Sequence, residues 1–290
     1  MRKLVISFAL LLTLGGCAGA PSSLPTEVSR IAPLGAEDLK ANLAAADATR
    51  DEGRYGEALE IYQQLLIDAP GAVRPQLGVG ECLLAVGKAA EAKRIFQGLE
   101  SNQELHAEAL QGEGLAMMAL GQNDIAAAAL QRATAANPSL WRSLNALGDL
   151  ADRRHAPAEA ADLYAKAAAI KPDSAIVINN IGYSKLLSGD SEHAIESFRR
   201  ALALDPKSET IENNLRLALA ATGNYAEATR SVGRDRLSAV LNNVGFMAMQ
   251  RGDHTAAEGY FARAMEASGS YASVTAKNIE QLKSEHPVSQ

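Results

Sequence analysis

Apolar and small residues recur along this chain in several series with one long period. Alanines stand at Ala58, Ala92, Ala126, Ala160, Ala194 and Ala228, each 34 residues after the last. A bulkier series follows four residues behind them: Tyr62, Phe96, Leu130, Tyr164, Phe198 and Val232. Glycines supply two more. One runs Gly53, Gly87, Gly121, Gly189 and Gly223, with His155 at the missing place; the other runs Gly80, Gly114, Gly148 and Gly182. Pro138, Pro172 and Pro206 keep the same step, with Pro70 in phase and one absence between. A chance glycine-rich bundle would not hold independent series in register. Each unit therefore predicts a helix, a turn and a second helix. Gly182 and Ala194 are expected to face each other where the two helices of a hairpin cross closely. Gly189 sits in the turn, where a positive φ is cheap. Phe198 is expected to fill the space against the next helix, and Pro206 to end the second helix or pre-set the following one. Each hairpin alone leaves an apolar face that stacking covers.

This register resembles the tetratricopeptide repeat. The resemblance implies an all-α, right-handed superhelical solenoid of helix–turn–helix units. Seven repeats are placed at 39–72, 73–106, 107–140, 141–174, 175–208, 209–237 and 238–271, within an array spanning 37–271. Residues 272–290 read as a capping helix, Val274 to Leu282, and a tail closed by Pro287. The sixth repeat is short: its series restarts after 29 residues, at Gly245, Gly252, Ala257, Phe261 and Ala264. Arg216 stands where that repeat should carry its crossing glycine, so its geometry is expected to depart from the rest. The second repeat lacks the terminal proline, and its second helix is expected to end differently near Ser101 and Asn102.

Composition agrees with closely packed helices. Hydrophobic residues make up 47% of the chain but aromatics only 4%, so alanine and leucine carry the core. A net charge of −6 leaves no basic stripe for a nucleic-acid groove. At the N-terminus, Arg2 and Lys3 precede an apolar run from Leu4 to Leu14, then Gly15, Gly16 and Cys17. That run suits a signal peptide and is short for a bilayer span. Leu14-Gly15-Gly16-Cys17 resembles a bacterial lipobox. The resemblance implies removal of residues 1–16 and lipidation of Cys17; an ordinary signal peptide with an incidental cysteine is the alternative. Residues 17–36, with Pro21, Pro25 and Pro33, read as a tether able to span roughly 60 Å. Cys82, the other cysteine, is expected to be a small buried hydrophobe.

No catalytic, cofactor or metal signature emerges, and the chain is not read as an enzyme. Gly78-Val79-Gly80 begins like a dinucleotide loop, but Leu83 takes the third glycine's place and no strand precedes it. His106, His155, His193, His254 and His286 show no metal-ligand spacing. Two sets of binding candidates remain. Trp141 reads either as an interface anchor or as packing against the preceding helix. Asn180, Asn214 and Asn243 recur on first helices, at a position where this fold commonly presents a concave residue. An amide there can both donate to and accept from an extended partner backbone. The alternative is that these asparagines stabilise their own hairpins.

One stretch carries a narrower likeness. Asn242-Asn243-Val244-Gly245-Phe246, Gly252-Asp253, the run Ala257 to Ala264 and Ala276-Lys277-Asn278-Ile279 resemble the TadD-type lipoproteins of Flp (Tad-type) pilus assembly. That resemblance implies a periplasm-facing, lipid-anchored outer-membrane scaffold whose protein partner is a pilus secretin or another envelope component. Ala18 after the lipid site is compatible with outer-membrane sorting. Two other classes stay open: a general envelope scaffold for peptidoglycan enzymes or outer-membrane assembly, and an enzyme with an unrecognised helical active site.

Overall fold

A computed structural model of the protein describes residues 35–267 and 272–285. These form fifteen α-helices and no strand. Seven antiparallel pairs follow in order: α1 (Ala36–Asp51) with α2 (Tyr55–Asp68), α3 (Arg74–Ala85) with α4 (Ala89–Leu99), α5 (His106–Ala119) with α6 (Asn123–Ala136), and α7 (Trp141–Arg153) with α8 (Pro157–Ile170). Then come α9 (Ala175–Leu187) with α10 (Ser191–Leu204), α11 (Glu209–Ala221) with α12 (Tyr225–Ala228), and α13 (Arg234–Gln250) with α14 (His254–Glu266). The last helix, α15 (Ala272–Glu285), closes the stack. The expected signal peptide, Cys17, most of the expected tether, His286 and Pro287 lie outside the described residues. Helix α1 begins at Ala36, the last residue of the expected tether. No described helix is long and apolar enough to cross a membrane.

The period has a direct packing cause. A Cβ on Gly182 would lie 2.8 Å from the Phe198 ring and 3.1 Å from Ser197 Cβ. The crossing glycine is therefore opposed by the ring of its own hairpin, and Ala194, fully buried, lies one turn before that ring on α10. Phe96 shows why the ring position recurs. It is fully buried between Gly80 of its own repeat and Gly112 of the next, with each missing Cβ within 2.7 Å of its ring. One ring thus seals both the hairpin and the seam to the following repeat. Losing such a side chain from a packed core costs about 3–5 kcal/mol.

Local signals account for the ends. Ser174 and Ser208 accept from the backbone N–H of Val177 and Ile211, capping α9 and α11. Pro206 lies beyond the end of α10 at Leu204 and before the first turn of α11, so it terminates rather than initiates. Helix α4 ends at Leu99, and Asn102 Oδ1 then accepts from Glu104 and Leu105 N–H at 3.0 Å. His155 adopts φ 57°, the left-handed geometry its glycine counterparts take at Gly121 (74°) and Gly189 (84°). At the C-terminal end, Thr275 and Leu282 of α15 are buried, covering the last hairpin.

The sixth repeat departs as expected and more sharply than its length suggests. Its second helix is a single turn of four residues. Arg216, only 9% exposed, turns its guanidinium into the space a longer helix would occupy. It donates to the carbonyls of Ala228 at 2.6 Å and Arg230 at 3.0 Å.

Candidate protein-binding groove

First helices touch one another along the stack: α1 meets α3, α3 meets α5, and so on to α11 with α13. Second helices make no comparable contact with each other. The more tightly spaced layer of a curved stack is its inner one, so first helices line the concave side.

The N-terminal part of this layer is ionic. Arg50 on α1 and Arg142 on α7 both bind Glu81 on α3, at 2.5 and 3.1 Å. Arg50 also bonds Asp47 at 3.2 Å, and Asp47 accepts from the hydroxyl of buried Tyr62 at 2.5 Å. Burial works against the Arg50 charge, but Glu81 and the bond to Asp51 hold its pKa above the ordinary arginine value. An open cavity of about 200 Å³ lies here, walled by Asp47, Arg50, Arg74 and Glu81. These groups neutralise one another across three repeats, which makes them a structural clamp first. No single-repeat pattern foretold it, because Arg50, Glu81 and Arg142 come from three different units.

The C-terminal part is apolar and amidic. On α9, Ile176, Tyr183 and Leu187 are 60, 41 and 56% exposed. Their spacing places them with Asn180 on one stripe, turned away from Gly182 and the hairpin crossing. On α13, Phe246 is 38% exposed and Asn243 is exposed beside it. Contiguous exposed apolar groups of this kind mark contact surfaces. The helical spacing of 176, 183 and 187 was legible in the sequence; their exposure was not.

The asparagines run between these groups as a ladder. Asn180 Nδ2 donates to Asn145 at 3.1 Å, Asn179 to Asn180 at 3.1 Å, and Asn214 to Asn179 at 2.9 Å. Repeats four, five and six are thus stitched by side-chain amides. After the short sixth repeat the ladder resumes, with Asn242 donating to Asn243 at 3.4 Å and accepting from Asn278 and Thr275 at 3.0 Å. All three candidates lie on first helices. The observed bonds of Asn180 and Asn214 join neighbouring repeats, not the two helices of one hairpin. Each amide carries two N–H donors and an oxygen with two lone pairs, so one or two bonds leave capacity for a ligand.

Trp141 is half-buried in a cluster with Leu144, Ala167 and Val177. That cluster gathers residues of α7, α8 and α9. Cys82 is fully buried, and burial pushes its thiol pKa up to about 11, so its thiolate is suppressed. Among the described residues no cluster of histidine, cysteine or carboxylates could hold a metal ion.

Comparison with known proteins agrees with this architecture. Family models described as tetratricopeptide repeat match residues 50–113, 112–175 and 175–208. No curated protein matches the chain. Among solved structures, a thermophilic TPR protein of Thermus thermophilus is 18% identical with a TM-score of 0.54, covering 66% of this chain and 98% of that one. A tetratricopeptide repeat protein from Parabacteroides merdae is 15% identical with a TM-score of 0.50, covering 84% and 98%. A chain of the APC/C hetero-tetramer Cut9-Hcn1 is 14% identical with a TM-score of 0.59, covering 85% of this chain and 50% of that one. At such identities the likeness speaks to fold alone. Contiguous repeat matches over more than half the chain, together with the observed stack, show that this protein belongs to the tetratricopeptide-repeat family, whose members bind protein or peptide partners.

Proposed function

We propose that the protein is a lipid-tethered envelope scaffold that holds an extended partner segment in the C-terminal half of its concave groove. The observation that carries this reading is the exposed stripe Ile176, Tyr183 and Leu187 beside the asparagine ladder. Apolar pockets give such a segment affinity, and amides at Asn180, Asn214 and Asn243 read its backbone. Lipidation at Cys17 would concentrate the groove near membrane-bound partners through a flexible linker. The likeness of residues 242–246, 252–253, 257–264 and 276–279 to Flp pilus lipoproteins makes a pilus secretin, or another pilus assembly component, the first candidate partner. The compatible residue after Cys17 favours the outer membrane, facing the periplasm.

Crosslinking the full chain in envelopes, with identification of what it captures, tests the partner. Capture of peptidoglycan enzymes or outer-membrane assembly factors instead would move the assignment to a general envelope scaffold. Mass measurement of the mature N-terminus tests the anchor: an unlipidated Cys17 would remove it. For the groove, Leu187→Glu should weaken binding of the captured partner at least about tenfold, a change worth about 1.4 kcal/mol, without lowering the melting temperature. Ile67→Glu, on the second-helix layer, should leave affinity unchanged. Alanine at Asn180, Asn214 and Asn243 together should weaken binding and also loosen the stack, because two of these amides join repeats. Equal affinity for wild type and Leu187→Glu would reject the groove.

A further inference from the structure

The seam between the fourth and fifth repeats carries buried polar side chains at places where most other repeats pack apolar ones. Asp152, near the end of α7, is 8% exposed. The residues at its place are Leu84, Met118, Leu186 and Ala220 in four other repeats and the charged Arg50 in the first. Ser184 on α9 is likewise buried, where its counterparts are Cys82, Ala116, Leu150 and Ala218. The first pair of polar groups therefore replaces apolar packing at two adjoining positions. A second pair of substitutions removes bulk. Ala161 and Ala165 on α8 stand where the fifth repeat carries Ile195 and Arg199, and the first Leu59 and Gln63. Ile195 is 4% exposed and packs with Ile211 in its own seam.

The result is a cleft. One cavity of about 290 Å³ is walled by Asp152, His155, Ser184, Leu187 and Ser188. A second of about 200 Å³ shares Pro157, Ser184 and Ser188 with it and adds Ala161, Ala165 and Ile181. One end is thus polar and the other aliphatic.

Proton accounting defines what the polar end accepts. The Ser184 hydroxyl donates to Asp152 Oδ1 at 2.8 Å, and the Tyr164 hydroxyl to Oδ2 at 3.0 Å. The Ser188 hydroxyl donates to the carbonyls of Ser184 and Lys185, at 2.8 and 3.0 Å. The hydroxyl protons of both wall serines are committed, so these residues and the carboxylate offer lone pairs. Among the described residues, no cationic side chain forms an ion pair with Asp152 within 4.0 Å. Lys185, on the wall of the second cavity, places its ammonium 3.3 Å from Ser197 Oγ. A buried carboxylate without a countercharge is costly, and a cation entering the cleft would offset that cost. A group with three donors and no acceptor fits this set of lone pairs.

We propose that this cleft receives the side chain of a lysine on a partner protein, its ammonium on Asp152, Ser184 and Ser188 and its methylenes along Ala161, Ala165 and Ile181. The site shares Leu187 with the concave stripe but is built on Asp152, Ser184 and the face of α8, and it stands whether or not the groove binds a pilus component.

The test titrates the full chain with the peptide acetyl-Gly-Lys-Gly-amide, its side-chain-acetylated counterpart and putrescine, followed by NMR shift changes. The lysine peptide should shift resonances of α8 and α9 saturably, and the acetylated one should not. Asp152→Asn should weaken binding at least about tenfold. Should that variant not fold, Ala161→Ile decides the matter, since it fills the cleft from an exposed position and leaves the carboxylate intact. It too should weaken binding at least about tenfold. Undiminished binding in Ala161→Ile overturns the proposal. Binding of putrescine without the peptide overturns the lysine assignment. A silent wild type that binds once Lys185→Met is introduced identifies Lys185 as the resident cation and overturns it as well.

Discussion

The fifth and sixth repeats are neighbours in one array and solve the same packing problem in opposite ways. In the fifth, Gly182 leaves room for the buried Phe198 ring, and α10 runs the full fourteen residues from Ser191 to Leu204. In the sixth, the crossing residue is Arg216 and α12 stops after four residues. Two carbonyls that a longer helix would use internally, those of Ala228 and Arg230, accept from the guanidinium instead. A cation at the C-terminal end of a helix is also favoured by the helix dipole. Glu212 completes the arrangement, accepting from Arg216 at 2.6 Å and Arg236 at 2.9 Å. In the fifth repeat its place is taken by buried Ile178. The lesson is that loss of the consensus glycine and shortening of the helix are one structural event. A long side chain at the crossing is tolerated because no ring returns to occupy the space.

Several substitutions probe that coupling. Arg216→Gly restores the family residue yet should cost about 3–5 kcal/mol, because it strands two carbonyls and leaves Glu212 with Arg236 alone. A melting temperature equal to or above wild type would break the comparison. Gly182→Ala, a far smaller change, should still cost about 1–3 kcal/mol, since the new Cβ meets the Phe198 ring and Ser197. Thermal unfolding of the full chain reads both.

The ionic side of the sixth repeat adds a pH signature. The hydrogen bond from Arg216 holds the Glu212 carboxyl below its ordinary range; burial opposes this, and Arg236 adds to it. Its folded pKa is lower than its unfolded one. The stabilisation it brings is therefore present above the unfolded pKa and lost as pH falls through the folded pKa. Glu212→Gln should flatten the acid limb of the stability profile relative to wild type, and an unchanged limb would remove Glu212 from the clamp. The smallest effect is expected at exposed Lys207 between the two repeats, where leucine should change stability by about 0.5 kcal/mol or less.

How far the sequence carried can be judged at particular residues. Series at one period placed the first six hairpins and a 29-residue restart the seventh, and the glycines at the crossings have a ring or leucine opposite them. His155 could be assigned to a turn because it filled a gap among glycines, and it takes their left-handed conformation. Arg216 could be flagged as a departure by its place in the series, but not as a donor to carbonyls twelve and fourteen residues on. Asn180 and Asn214 could be placed on first helices, while their bonds to Asn145 and Asn179 could not be foreseen. Trp141 could be put near a helix start, but its place beside the cluster of Leu144, Ala167 and Val177 could not be foreseen.

Helix placement, turn chemistry and repeat register follow from the sequence because they depend on residues within one hairpin, whose spacing the chain itself sets. The clamp of Arg50, Glu81 and Arg142, the asparagine ladder and the cleft over Asp152 depend on how far one repeat is rotated against the next. That rotation is the summed outcome of many side-chain contacts across each seam, so these features were decided only by the tertiary structure.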